Sequence, residues 1–292
     1  MADERRDVER RPACVHALEV AVERVPPELQ RGRIGADVSA DQYPYAAWET
    51  ELAAALPPWV TPDELPAVLD DPGAAARLAL AVEDGEPGWD SAGRGIGWDR
   101  IVLGSHDPDP SLTGRSIADV AESWGVEPFL AIARLLVADR FTGMIGHAMH
   151  EDDVRAIVSR PDVFVATDGV AISPAGPLGG VAVHPRYYGT YPRVLGRYAR
   201  DERRLTLETA VAKMTSLPAE RFGLAGRGRI EAGAAADLVV FDPGTIADTA
   251  TYERPHAFAD GVELVVVNGE IGFEAGTDRA ARAGRALRRG ER

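Results

Sequence analysis

The amino-acid sequence predicts an α/β fold with a small antiparallel β-sheet near the C-terminal end. Two patterns support this prediction. In the middle of the chain, short apolar runs alternate with amphipathic segments, and this strand–helix–strand rhythm is typical of parallel strands joined by right-handed crossovers. Further on, the hydrophobic period becomes that of strands, and Asn268-Gly269 separates two apolar runs. An Asn-Gly pair in that setting is a strong signal for a β-hairpin.

The N-terminal part of the chain carries few regular patterns. Residues 1–33 are predicted to form a charged lead and an amphipathic helix over His16–Leu29, which two prolines interrupt. A strand is predicted over Ile34–Ala40, and Pro44 ends regular pairing shortly after it. Residues 57–110 are rich in proline, glycine and aspartate, and we interpret them as an insertion between core elements.

The remaining elements follow from the spacing of apolar residues, which separates helical from strand periods. Helices are predicted over Gly73–Val82, Ser116–Trp124, Glu127–Ala138, Glu151–Ser159 and Leu205–Leu217. Strands are predicted over Trp98–Leu103, Met144–His147, Val163–Thr167, Asp237–Asp242 and Val262–Val267. A loop rich in glycine and proline is predicted over residues 169–189.

The composition indicates a soluble protein of a reducing compartment. Acidic residues number 46 and lysine plus arginine 32, giving a net charge of −14, so we expect neither nucleic acid nor an anionic membrane as a partner. Cys14 is the only cysteine, and Met1–Arg11 is charged throughout and lacks the apolar core of a signal peptide. No apolar run approaches the roughly 20 residues of a membrane helix. The expected location is cytoplasmic.

Three groups of motifs resemble one family, the N-acyl-D-amino-acid deacylase (D-aminoacylase) branch of the metal-dependent amidohydrolases. The resemblance runs from about Ala36 to Leu287. The first motif is Asp41-Gln-Tyr-Pro-Tyr45. The second group is Thr167-Asp-Gly169, His184-Pro-Arg186 and Tyr188-Gly-Thr-Tyr-Pro-Arg-Val-Leu-Gly196. The third is Lys213-Met-Thr-Ser-Leu-Pro-Ala-Glu-Arg-Phe-Gly-Leu224, Gly228-Arg-Ile-Glu-Ala-Gly233 and Ala236-Asp-Leu-Val-Val-Phe-Asp-Pro243. As ordered strings they are far more specific than a single short motif.

The resemblance implies a partial (β/α)₈ barrel with its site at the carboxyl ends of the strands. Ile34–Ala40, Met144–His147 and Val163–Thr167 would then be strands six to eight. Residues 34–224 are assigned to this part of the barrel, with the insertion inside it. Residues 225–292 are assigned to a small β-sandwich segment and a basic tail.

The resemblance also implies that Asp168 is the catalytic aspartate of strand eight. In the family, this residue takes a proton from a metal-bound water and passes it to the leaving amine. A carboxylate suits both tasks because it can contact a metal and still transfer a proton. Gly169 lets the chain turn sharply directly after it. The alternative is an aspartate that only caps a strand-to-loop turn.

Substrate binding is assigned to the loop after Asp168 and to the segment after the first strand. Arg186, and second to it Arg193, could hold the α-carboxylate of an N-acyl amino acid by two parallel hydrogen bonds. His184 and Tyr43 complete the set of candidates. An ion pair with a surface carboxylate is the alternative for either arginine.

Zinc is the cofactor that the resemblance implies, and hydrolysis of the C–N bond of an N-acyl-D-amino acid is the implied activity. The sequence contains no His-x-His, the motif that the family carries on strand one. Asp168 is the main expected ligand, and His147, at a strand end, is a less favoured one. A zinc site normally needs about three protein ligands. We therefore expect that a partner polypeptide or self-association completes the site, or that the chain is a non-catalytic remnant.

Overall fold

The computed structural model describes residues 39–176 and 178–290. These residues divide into two compact units. The first unit contains Tyr45–Glu151 and Gly180–His184, and the second contains residues 39–44, 152–179 and 185–290. The predicted helix over His16–Leu29, and the predicted strand up to Ala40 except for its end, lie outside the described residues. No helix in the described ranges is long and apolar enough to cross a membrane.

The strands, in chain order, are β1 Ala40–Gln42, β2 Trp48–Glu51, β3 Ile101–Ser105, β4 Gly143–Gly146, β5 Val163–Val165, β6 Leu238–Phe241, β7 Val262–Val267, β8 Glu270–Glu274 and β9 Thr277–Asp278. The α-helices are α1 Leu65–Asp70, α2 Pro72–Asp84, α3 Ala92–Ile96, α4 Ile117–Trp124, α5 Pro128–Ala138, α6 Glu151–Val158, α7 Arg186–Arg193, α8 Leu207–Met214 and α9 Ser216–Phe222. Short 3₁₀ turns occupy Leu52–Ala55, Pro62–Glu64 and Pro110–Leu112, and a π-helix occupies Val194–Asp201.

The first unit is an antiparallel sheet in the order β2-β4-β3 that shares a hydrophobic core with α1, α2, α4 and α5. The helices begin where the sequence provides caps. The Asp71 side chain accepts hydrogen bonds from the first turn of α2, and Ser116 forms a capping box with Asp119 at α4. Buried aliphatic side chains such as Leu78 and Leu135 fill the core. This unit extends on both sides beyond the insertion predicted over residues 57–110.

The second unit contains a parallel pair, β1 and β5, in which Ala40 pairs with Val163 and Gln42 with Val165. The prediction that the strand before Asp168 is parallel is therefore confirmed. The prediction that its neighbour is Met144–His147 is wrong, because β4 pairs with β2 and β3 in the first unit and both pairings are antiparallel. Hydrophobic period identifies a strand but not its partner, and both edges of β4 are already occupied.

The C-terminal sheet has the order β6-β7-β8-β9 and is antiparallel throughout. Asn268 and Gly269 connect β7 to β8 with φ values of 48° and 85°. A type I′ hairpin turn requires positive φ at both positions, so the predicted hairpin is confirmed. Asn268 is also fixed by its surroundings, since its backbone N–H donates to Asp237 Oδ1 at 2.8 Å and its side-chain amide donates to the Ala283 carbonyl at 2.6 Å.

The predicted loop over residues 169–189 ends earlier than expected. Helix α7 begins at Arg186, and the π-helix continues it without a break. Pro192 lies inside α7 and supplies no N–H to the helix, and the wider π-helical turns start two residues later. Thr206 caps α8 as predicted, but a second helix, α9, starts at Ser216.

Candidate functional site

Asp168 lies three residues beyond the carboxyl end of β5, in a backbone conformation that few residues adopt. Its φ is +45°, a left-handed value that aspartate tolerates better than most residues. Gly169 is required next to it, because a β-carbon at this position would come within 2.8 Å of Tyr187 Cδ1. The Asp168 side chain is 66% exposed. The chain therefore presents this carboxylate to solvent at the end of a parallel strand.

Arg186 pairs with Asp168 and is buried itself. Its Nη2 lies 3.1 Å from Asp168 Oδ2, and its side chain is only 4% exposed. The guanidinium carbon lies 4.6 Å from the centre of the Tyr43 ring, which is a cation–π contact. Tyr43 directly follows β1, so Asp168 and Tyr43 both come from the carboxyl ends of the two parallel strands. The structure brings together these three of the predicted site residues.

The ion pair is asymmetric, and this decides what it can do. The buried guanidinium is held in place by its packing, whereas water and solutes can reach the exposed carboxylate. Arg186 begins α7, and the Thr190 hydroxyl donates to the Arg186 carbonyl at 2.8 Å, which fixes the start of the helix. The arrangement offers a fixed positive charge beside a carboxylate that solvent can reach.

Arg193 does not join this group. Its Nε donates to the Pro44 carbonyl at 2.9 Å, and its Nη1 lies 2.8 Å from Asp248 Oδ2. Both partners of this ion pair are largely buried. Arg193 therefore fixes the turn that follows Tyr43, and it forms the ion pair with a protein carboxylate that was the alternative to substrate binding.

His184 also lies apart from Asp168, in the first unit. It is fully buried, and its Nε2 donates to the Ala47 carbonyl at 3.0 Å. Its ring contacts the Tyr45 ring edge-on, with 5.1 Å between centroids. These contacts describe a core histidine. In this structure His184 has no exposed surface for the substrate contact that was predicted.

The described residues do not fit a zinc site. His147 belongs to the first unit, where its backbone N–H donates to the Arg100 carbonyl. Across residues 39–176 and 178–290, no group of three or more His, Cys, Asp or Glu side chains could hold a metal ion. The charged partner that the structure gives Asp168 is a guanidinium, which is not a companion ligand. Cys14 lies outside the described residues.

Lys213 is a buried residue of this region that the sequence did not single out as a site residue. It lies on α8 and is 1% exposed. Its Nζ donates to the carbonyls of Val158 and Arg160, which join α6 to β5. Burial lowers the pKa of this lysine to about 8. Its position within the apolar pattern of a predicted helix was the sequence signal that could have indicated its burial. Lys213 supports the strand that leads to Asp168.

The chain belongs to the amidohydrolase family, whose model matches residues 69–273. Its relatives include the N-acyl-D-glutamate deacylase of Alcaligenes xylosoxydans xylosoxydans, which is 45% identical over 191 residues. That match covers 65% of this chain and 37% of the relative. The D-aminoacylase of the same organism is 42% identical over 197 residues, covering 65% and 38%. The chain thus spans less than half the length of these curated relatives.

Two solved structures, of a D-aminoacylase and of an N-acyl-D-glutamate deacylase, also resemble this chain. A crystal structure of D-aminoacylase matches with a TM-score of 0.65 and 35% identity, covering 88% of this chain and 44% of that one. The N-acyl-D-glutamate deacylase of Bordetella bronchiseptica, solved with zinc and a phosphonate inhibitor, matches with a TM-score of 0.62 and 33% identity. That match covers 90% of this chain and 44% of the other.

Proposed function

We propose that this chain supplies one side of a hydrolytic site for N-acyl-D-amino acids. The observation that carries the proposal is the cluster of Asp168, Arg186 and Tyr43 beyond the carboxyl ends of two parallel strands. Relatives that are 42–45% identical and named as D-aminoacylase and N-acyl-D-glutamate deacylase support the substrate class. The reaction adds water across the amide C–N bond and releases a carboxylate and a free amine.

In this proposal, Arg186 and Asp168 divide the work between binding and proton transfer. The α-carboxylate of the substrate takes the place of the Asp168 carboxylate at Nη2 of Arg186, where it forms one charge-assisted hydrogen bond. Binding then frees the Asp168 carboxylate. Asp168 takes a proton from the attacking water and returns it to the leaving nitrogen, as a general base and then a general acid.

We also propose that β1 and β5 are neighbouring strands of a (β/α)₈ barrel and that the C-terminal sheet is part of a β-sandwich. Parallel pairing and site residues at the carboxyl strand ends support the barrel. The barrel strand next to β5 is then β1, whereas the sequence had pointed to Met144–His147. A cytoplasmic location stays a prediction.

The zinc ligands are proposed to come from a partner polypeptide. The described residues offer only Asp168 as a ligand, and a single carboxylate does not provide the roughly three protein ligands that a zinc site needs. After incubation with zinc and dialysis, the purified chain should retain no stoichiometric metal. It should release no amine from N-acetyl-D-glutamate. The measurements are elemental metal analysis and an amine-release assay.

A complementation experiment distinguishes a chain that a partner polypeptide completes from a non-catalytic remnant. The chain is co-expressed with the part of the Alcaligenes D-aminoacylase that it does not match. Deacylase activity should appear, and Asp168→Asn should abolish it while Asp70→Asn, an exposed change on α1, should not. A zinc ion and turnover in the chain alone would overturn the partner proposal. Co-purification of the two polypeptides without activity would favour the non-catalytic alternative.

A further inference from the structure

A groove in the second unit lies outside the proposed site. It has a volume of about 550 Å³ and is formed where the π-helix ends and α8 begins. Ligand pockets in proteins typically measure roughly 300–1,000 Å³, so the groove has the size of a small-molecule site. None of Asp168, Arg186 and Tyr43 lines it.

The lining of the groove is mostly apolar. Leu195 and Ala199 come from the buried side of the π-helix, and Pro243 follows β6. Leu207 is the first residue of α8, and Leu205 lies just before its Thr206 cap. Leu207 is 36% exposed, so its side chain still offers apolar surface to a ligand. Aliphatic walls of this kind favour the burial of a hydrocarbon chain.

Three arginines, Arg200, Arg203 and Arg204, also line the groove, and they differ in what they already bind. Arg200 holds Asp201, with Nε 2.7 Å from Oδ1, and Arg204 Nε lies 3.5 Å from a carboxylate oxygen of Glu202. Arg203 is exposed. Within the described part of the chain it forms no ion pair or side-chain hydrogen bond. Its charge is thus available to an anion from solution.

We propose that this groove binds an aliphatic carboxylate of medium chain length. The carboxylate lies at Arg203, and the hydrocarbon chain lies along the leucines and the proline. A ligand recognised by charge alone would leave the apolar walls unused, and a neutral hydrocarbon would leave the guanidinium unused. The inference goes beyond the proposed function, because binding here needs neither the deacylase reaction nor a metal.

Isothermal titration calorimetry of the full chain with acetate, hexanoate, octanoate and decanoate tests the proposal. Each fully buried methylene contributes about 0.8 kcal/mol, so affinity should rise by up to about fourfold per added carbon while the groove fills. Decanol, which lacks the charge, should bind more weakly than decanoate. Equal affinity for acetate and decanoate, or no saturable binding, would overturn the proposal.

Variants locate the site. Arg203 has a φ of +52°, so Arg203→Asn removes the charge while keeping a residue that tolerates this backbone. It should weaken decanoate binding by roughly threefold to fivefold, as expected for an exposed ion pair, and leave decanol binding unchanged. Leu207→Gln should reduce the dependence on chain length. Arg134→Gln, an exposed change on α5 of the first unit, is the matched control and should bind as the parent does. Unchanged decanoate affinity in Arg203→Asn would contradict the assignment.

Discussion

At the scale of single residues, the pair of Arg186 and Asp168 has two ends in opposite environments. The guanidinium is packed against Tyr43 and nearly inaccessible, while the carboxylate is mostly exposed. Removing the carboxylate therefore takes a charged hydrogen-bond partner from a buried cation, whose desolvation is costly. The left-handed backbone of Asp168 adds a second constraint, since a β-branched or aliphatic residue is disfavoured there.

We expect Asp168→Ala to lower the free energy of unfolding by about 1–2 kcal/mol, because it removes the ion pair with Arg186 and strains the left-handed backbone. Asp168→Asn keeps an acceptor and tolerates that backbone, so it should lose less than half as much. Urea denaturation followed by circular dichroism measures both. The exposed change Asp70→Asn should have no effect. Equal stability of the alanine variant and the parent would show that the pair contributes nothing.

The sequence identified the residues of the candidate site better than it predicted which side chains are buried. Asp168, Arg186 and Tyr43 were each singled out, and the structure brings them together. His184 lies only two residues before Arg186, yet it packs into the first unit and bonds to Ala47. Its side-chain type gave no sign of this. Burial depends on which distant segments pack together, and a local motif does not contain that information.

At the scale of elements, Glu202 joins several pieces of the second unit. Its carboxylate pairs with Arg155 of α6, Arg197 of the π-helix and, more loosely, Arg204. The hydrogen bond from Arg155 is the largest cause, and together the contacts lower the Glu202 pKa to about 2. Helix α6 leads into β5, so this network stabilises the approach to Asp168.

Glu202 should make the stability of the protein depend on pH in the acid range. Its pKa falls from 4.5 to about 2 on folding, so its contribution is complete above pH 4.5 and is lost as the pH falls towards 2. Solvent screens these partly exposed ion pairs, so the full contribution is about 1–2 kcal/mol. Glu202→Gln should remove it and flatten the stability profile over this range. Urea unfolding at several pH values measures the profile, with the exposed Glu122→Gln as control. Parallel profiles for the parent and Glu202→Gln would rule out this role.

The hairpin between β7 and β8 gives a prediction that depends on backbone conformation alone. Gly269 has a φ of 85°, and a β-carbon there would meet no atom within 4 Å. Gly269→Ala should therefore cost about 1 kcal/mol of stability from left-handed strain without any clash. Gly284→Ala places a methyl group in similarly open space without positive φ, and it should be neutral. Thermal unfolding compares the two, and equal midpoints would contradict the turn assignment.

The elements themselves were largely predictable, and their partners were not. Helices α2, α4, α5 and α6 follow the predicted periods closely, and so does the Asn268-Gly269 hairpin. The hairpin was predictable because its two strands are joined by the turn that selects their pairing. Strand β4 has no such local partner, and its antiparallel pairing with β2 and β3 depends on contacts between distant parts of the chain.

At the scale of the whole molecule, the chain belongs to the amidohydrolase family but spans less than half the length of its curated relatives. The described residues carry a carboxylate beyond a strand end, paired with a guanidinium from the start of α7, but no set of metal ligands. This division between the proposed proton-transfer side and the expected metal side makes complementation the decisive test of function. The two proposals can fail separately, because carboxylate binding in the arginine-lined groove does not depend on activity.

The parallel pairing of β1 with β5 also bears on how the chain folds. Most of the first unit lies between these two strands in sequence, although Ala40 and Val163 are direct partners in the sheet. The entropy of closing such a loop grows only with the logarithm of its length. A change in the length of the segment between the two strands should therefore carry little thermodynamic penalty. The cost of this pairing is kinetic, since a pairing between residues so far apart in sequence forms slowly.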